Sequence, residues 1–274
     1  MFFPVKIAQA TGAWIRAVAI EDDWLTSREI ELIDLSLPIM NRSFEPVKSR
    51  VVTSHHDESR RARAKRLGMR VEEMVHLGAM DHVETYTHAG THVDAPYRFG
   101  PGVDGQRART VDELPLEWFY GDGVLLDLSP KAPGERISAA DVQGELERVG
   151  CRLGGGKIVL LRTGAANHFA DDPAFTELSP RLDREALVWL LEQGVRVVGF
   201  GAESLDGPVG PMVEALRAGD RAAFFPIHRL GREREFCLIA KMDLARLTRS
   251  YGFKVAAFPI KLGAAARAGP EPWH

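Results

Sequence analysis

Apolar, β-branched runs alternate with helical segments through the middle of this chain, and that alternation restricts the fold more than any other feature. Gly123-Val124-Leu125-Leu126-Asp127-Leu128 and Lys157-Ile158-Val159-Leu160-Leu161-Arg162-Thr163 read as buried strands. Between them, Ser138-Ala139-Ala140-Asp141-Val142 opens a helix, with Ser138 as the N-cap and Asp141 in the first turn. A second helix runs through residues 183–193, and Gly194 follows where a positive φ costs little. Val195-Arg196-Val197-Val198-Gly199-Phe200 is a third buried strand. Strands and helices in this order predict an α/β domain.

The flanks add further elements. Ile30-Glu31-Leu32-Ile33-Asp34-Leu35-Ser36 alternates and reads as a strand. Residues 12–20 are apolar, with no periodicity that decides their type. Residues 254–260 read as a late strand, which Pro259 puts at an edge or a strand end. Residues 60–70 are basic with Ala and Leu between the charges, which reads as a solvated helix. The functional alternative is a rim that attracts anionic substrates.

The 274 residues show no internal repeat and no Ser/Pro/Gly linker, so a single domain over 1–274 is the expectation. A net charge of −3 argues against a nucleic-acid or anionic-membrane partner and leaves a small molecule. No apolar run is long enough to span a bilayer. Met1-Phe2-Phe3-Pro4-Val5-Lys6 lacks the charged-then-apolar pattern of a signal peptide. Cys151 and Cys237 form no CxxC and read as reduced thiols. Together these predict a cytoplasmic protein.

The chemistry sits in Thr87-His88-Ala89-Gly90-Thr91-His92-Val93-Asp94-Ala95-Pro96. Two imidazoles and a carboxylate form a donor set for a divalent ion of the Zn or Mn type. A spacing of four would also put His88 and His92 on one helix face, as in HExxH enzymes. Gly90, the β-branched Thr91 and Val93, and Pro96 argue against a helix. A turn at Gly90 followed by an extended segment fits better. His92 and Asp94 then project to one side, and His88 folds back toward them. Three ligands on one short loop leave open coordination positions, as in a catalytic centre. The plain alternative is a polar, hydrogen-bonded loop.

His88-Ala89-Gly90-Thr91-His92-Val93-Asp94-Ala95-Pro96 resembles the HxGTHxDxP signature of the cyclase family, which includes bacterial kynurenine formamidases, isatin hydrolases and related lactone hydrolases. Asp34-Leu35-Ser36, residues 121–128, Leu160-Leu161-Arg162-Thr163-Gly164, Val197-Val198-Gly199, Ser204-Leu205-Asp206 and Pro226-Ile227-His228 resemble further segments of that family. The resemblance implies a swivelling β/β/α fold with a mixed central sheet, and hydrolysis of an amide or ester through bound Zn or Mn. It also implies a homodimer or homotetramer. Carried over residue by residue, it makes His88, His92 and Asp94 the ligands of a first metal. His228 becomes a ligand or pocket residue at a second position.

Two departures stand out. Where the family signature continues with a proposed acid/base His, this chain has Arg98 after Tyr97. A guanidinium cannot shuttle protons at neutral pH, but it can hold a carboxylate or an oxyanion. Where the family has a Glu in an E-N-L-x-x-L stretch, this chain has Met242, followed by Asp243. A thioether is a poor ligand in an oxygen/nitrogen site, and a one-residue slip to Asp243 would turn its side chain away. One metal ion is therefore expected rather than two.

Other candidates are weaker. Thr91 is placed to orient a water, Glu203 to act as general base, and Tyr97 and His168 to line the substrate pocket. For Glu203 the alternative is an exposed loop carboxylate. His55-His56-Asp57-Glu58 reads as a solvated loop, or as a lid if the resemblance extends there. His76 and His82 read as structural or surface residues. The expected function is metal-dependent hydrolysis of a small amide, formamide, lactam or lactone. Arg98 keeps two alternatives open: a ligand-binding relative without turnover, and a lyase or cyclase acting on a carboxylated substrate.

Overall fold

A computed structural model describes residues 12–15, 17–22, 30–41, 47–75, 78–169 and 173–260; His76 lies outside them. Among these residues a nine-stranded sheet runs, from one edge, through Gly12–Trp14, His92–Asp94, Cys237–Ala240, Val197–Phe200 and Ile158–Arg162. It continues through Tyr120–Asp127, Tyr251–Ala256, Val18–Asp22 and Ile30–Asp34. The four strands from Cys237–Ala240 to Tyr120–Asp127 are parallel, and every other pairing is antiparallel. The sheet is thus mixed, and the fold is α/β.

The apolar runs fill both faces because successive side chains alternate. Val124, Leu126, Val159, Leu161, Val198 and Leu238 form one layer with Val142 and Leu146 of the helix Ala139–Val149 and with Ala186, Leu187 and Leu190 of the helix Arg184–Glu192. Leu125, Ile158, Leu160, Val197 and Ile239 face the other way and meet Ala19, Ile33, Leu35, Phe119 and Val255. Ser138 and Asp141 cap the first helix reciprocally. Asp141 Oδ2 accepts the Ser138 N–H at 2.8 Å, and Ser138 Oγ accepts the Asp141 N–H at 3.2 Å. Both cysteines are free thiols, and burial pushes Cys237 well above the usual thiol range.

Three elements differ from expectation. The apolar N-terminal segment supplies two separate strands, Gly12–Trp14 and Val18–Asp22. The late strand is Tyr251–Ala256 and is interior, between Tyr120–Asp127 and Val18–Asp22. Pro259 lies beyond its end, where its missing N–H breaks no ladder bond. The His55–Glu58 stretch opens the helix His56–Leu67 instead of forming a loop, because Glu58 Oε2 accepts the N-cap His55 N–H at 3.2 Å. No helix among the described residues is long and apolar enough to cross a membrane.

The motif enters the sheet at the carboxyl ends of the parallel strands, the usual place for a ligand in such sheets. His92 pairs with Ala240 and Asp94 with Leu238. The turn before this strand is tightly packed. Gly90 has φ +57°, and a Cβ there would lie 2.9 Å from the Leu37 carbonyl oxygen. The Thr91 N–H donates to that same oxygen at 3.2 Å, and the Leu37 N–H donates to Thr91 Oγ1 at 2.7 Å. Thr91 Oγ1 in turn donates to the Lys241 carbonyl. Gly90→Ala should therefore lower stability by about 2 kcal/mol, since a left-handed Ala is strained and its methyl meets backbone. A thermal melt should shift down by several degrees. An unchanged melting temperature would refute the packing argument.

Candidate metal centre

His92 and Asp94 occupy alternate positions of one extended strand, so both face the helix layer while Val93 joins the opposite apolar cluster. His88 returns over the Gly90 turn. Among the described residues, His88, His92 and Asp94 form the one group of three or more metal-type donors, with ligand atoms within 4.8 Å of one another. His88 Nδ1 lies 2.8 Å from Asp94 Oδ1, and His92 Nε2 lies 3.5 Å from the same oxygen. His92 Nδ1 is 2.9 Å from the Gly90 carbonyl oxygen. A carbonyl only accepts, so Nδ1 carries a proton, and Nε2 is the ring atom turned toward Asp94.

The donor set fits a divalent cation. Asp94 Oδ1 is buried, yet no hydrogen bond of good geometry reaches it, despite two imidazole nitrogens close by. A buried carboxylate oxygen without such a bond is rare unless an ion completes it. Burial alone would raise the Asp94 pKa, but the contacts with His88 and His92 outweigh it and hold the carboxyl well below its usual range. Burial lowers the pKa of His88, against the opposing pull of Asp94. A carboxylate and a neutral imidazole are the protonation states that metal binding requires.

Around the triad, the remaining candidates separate. Pro96–Arg98 is a single 3-10 turn that follows the motif strand directly. Arg98 is 42% exposed, and its Nε lies 3.9 Å from Asp94 Oδ1, an ion-pair distance longer than a hydrogen bond. Tyr97 is 38% exposed beside it. The Thr91 hydroxyl spends its one proton on the Lys241 carbonyl, so it acts as a strut between segments and has none left for a water. Glu203 is not an exposed loop carboxylate: its Oε2 is buried, 3.0 Å from Lys241 Nζ. His168 is exposed on the turn Ala165–His168, which the Ala166 N–H ties to the Gly201 carbonyl at 2.9 Å.

His228 stands outside the donor group. It sits on the helix Pro226–Leu230, with Nδ1 2.5 Å from Asp206 Oδ2. Its ring makes near-perpendicular contacts with Phe99 and Phe225, each with centroids 5.4 Å apart. Met242 lies in the apolar core beneath Gly199, and Asp243 Oδ1 accepts the Ala245 N–H at 3.2 Å. Neither reaches the triad group. The residue paired with His92 on this strand is Ala240, whose methyl offers no donor.

Sequence reasoning missed Lys241 and Asp206. Lys241 is 1% exposed and donates from Nζ to the His88 carbonyl at 3.0 Å. The available signal was a lone cation ending the apolar run Cys237-Leu238-Ile239-Ala240. For Asp206, no local pattern indicates that it holds His228.

Residues 33–207 match the family described as "Putative cyclase". The chain is 29% identical over 147 residues to a kynurenine formamidase of Geobacillus thermodenitrificans, covering 53% of this chain and 57% of that protein. It is 30% identical over 122 residues to a kynurenine formamidase of Bacillus mycoides, covering 43% and 49%. The matches thus span about half the length of these relatives. Isatin hydrolase A from Ralstonia solanacearum superposes with a TM-score of 0.63 at 18% identity, over 90% of this chain and 87% of that one. An isatin hydrolase bound to the product analogue thioisatinate gives 0.54 at 19% identity, over 78% and 82%. These two structures share the fold. With the family match covering more than half of its length, this chain belongs to the cyclase family.

Proposed function

We propose that this chain is a metal-dependent hydrolase of a small amide, formamide, lactam or lactone, with His88, His92 and Asp94 holding one Zn²⁺ or Mn²⁺. The observation that carries this reading is the convergence of two imidazoles on a buried Asp94 oxygen that lacks a well-formed hydrogen bond. Both ions accept a His₂Asp set. An ion held there would polarise a carbonyl and lower the pKa of water toward neutrality. Relatives named kynurenine formamidase and isatin hydrolase support amide and lactam substrates as the first to test.

The chain's own side chains supply the rest. Arg98, at the open side of the triad, binds a substrate carboxylate or the developing oxyanion with its planar fork. Tyr97 and His168 offer exposed aromatic surface to the same substrate. Arg98 cannot carry protons, so that task falls to an imidazole or a carboxylate nearby. His228 is the better suited, because Asp206 engages Nδ1 and fixes the orientation of the ring. Glu203 is less available, being paired with Lys241. A single domain, a cytoplasmic location and a homodimer or homotetramer complete the proposal.

Arg98 also favours a second reading. A carboxylate anchor 3.9 Å from a metal ligand suits lyase or cyclisation chemistry on a carboxylated substrate, or binding without turnover.

Purified protein reconstituted with Zn²⁺ or Mn²⁺ should hold one ion per chain by mass spectrometry. It should hydrolyse at least one of N-formylkynurenine, isatin or a simple lactone. His92→Ala should lose both the ion and the activity. A chain that stays metal-free and inactive after reconstitution sinks the proposal, and one that binds metal without turnover favours the second reading. Arg98→Lys should raise KM for a carboxylated substrate about tenfold or more at unchanged metal content, since an ammonium cannot replace a bidentate fork. An unchanged KM would remove Arg98 as the anchor.

A further inference from the structure

One buried lysine holds the motif at both ends of its turn. Lys241 Nζ donates to the His88 carbonyl at 3.0 Å, and the Lys241 carbonyl accepts the Thr91 hydroxyl. The Lys241 N–H donates to the Ala202 carbonyl at 3.1 Å, and its backbone is left-handed, with φ +58°. Strand register puts it there, since Ala240 pairs with His92 and Lys241 is the next residue along. Glu203 Oε2 lies 3.0 Å from Nζ and balances its charge. A left-handed lysine is strained, and taking an ammonium and a carboxylate out of water is expensive. Apolar residues of similar volume often fill such a space at lower cost, so stability alone does not explain the pair.

What the ammonium supplies is a fixed point for the turn. Gly90, with φ +57°, gives the turn a permissive backbone that outside contacts must define. The Gly90 carbonyl faces the His92 ring at 2.9 Å, and the His88 carbonyl takes the ammonium. A hydrogen bond from an ionised donor is roughly twice as strong as a neutral one. Fixing the His88 carbonyl fixes the peptide plane from which the His88 side chain starts, and with it the approach of Nδ1 to Asp94. We infer that Lys241 is a positioning residue for the triad: its ammonium holds His88 in place as a ligand, and Glu203 is its counter-charge. This inference rests on the triad being a metal site. The pair has no net charge, so neutralising both members leaves the net charge beside the triad unchanged. A loss of metal affinity in that variant therefore reports lost geometry.

The test is calorimetric titration of the full chain with Zn²⁺ and with Mn²⁺, at a temperature where each variant is folded by circular dichroism. Lys241→Met/Glu203→Gln should bind the ion about tenfold more weakly than wild type, as for other residues that orient a metal ligand. Its melting temperature should stay within a few degrees of wild type. Lys241→Met alone removes a positive charge near the cation, so Coulomb repulsion by itself predicts tighter binding, whereas lost positioning predicts weaker. Lys241→Arg keeps a charged donor and should bind close to wild type. If neither methionine variant folds, Lys241→Arg decides, and a tenfold loss there overturns the inference. Wild-type affinity in a folded double variant also overturns it, whatever its melting temperature, and so does tighter binding by Lys241→Met. These outcomes leave the triad reading intact. Only a wild type that binds no ion removes both.

Discussion

The pairing of His92–Asp94 with Leu238–Ala240 is the contact on which the site depends. It is three residues long and antiparallel, at the end of an otherwise parallel block. It sets His92 and Asp94 on the helix-facing side and Val93 in the opposite core. A slip of one residue would reverse that and bury Val93's partners in place of the donors. The same pairing brings Ala240 beside His92 and swings Lys241 under the turn that carries His88. The triad, its neighbouring charges and its lack of a further donor all follow from one register.

The turn before that strand is tied to distant segments through the Thr91 hydroxyl, alongside the Thr91 N–H to Leu37 and the Lys241 ammonium to His88. Thr91 joins the Leu37 N–H to the Lys241 carbonyl, so three distant segments meet at one side chain. The backbone is crowded enough there to require glycine at position 90. Charges are arranged in the same economical way. Asp94 is ionised beside two imidazoles, Glu203 is matched by Lys241, and Asp206 is matched by His228 and the Ile227 N–H. Each of these carboxylates thus faces a cationic or imidazole partner, and Asp94 Oδ1 and Glu203 Oε2 do so without a well-formed hydrogen bond.

Much of the fold was legible because its signals are local. The strands Tyr120–Asp127, Ile158–Arg162 and Val197–Phe200 are built around buried apolar runs, and Ser138 with Asp141 marks a helix start by short-range hydrogen bonds. The motif's shape was legible too, since Gly90, Val93 and Pro96 leave few backbone options. Tyr251–Ala256 was harder, because its interior place depends on strands from the far end of the chain. His228 was read as a ligand or pocket residue, and its Nδ1 is engaged by Asp206, 22 residues away. Nothing in the local pattern around either residue announces that bond.

By itself the sequence determined the α/β class, the extended form of the motif and which three metal-type side chains it brings together. Backbone sterics and side-chain periodicity act over a few residues and can be read along the chain. Only the tertiary structure decided what surrounds those side chains: Ala240 across from His92, Lys241 against Glu203, Met242 turned into the core, and His228 Nδ1 on Asp206. These outcomes come from strand register and from pairing between buried charges far apart in sequence. Their energies exist only once water has been excluded and the segments have met.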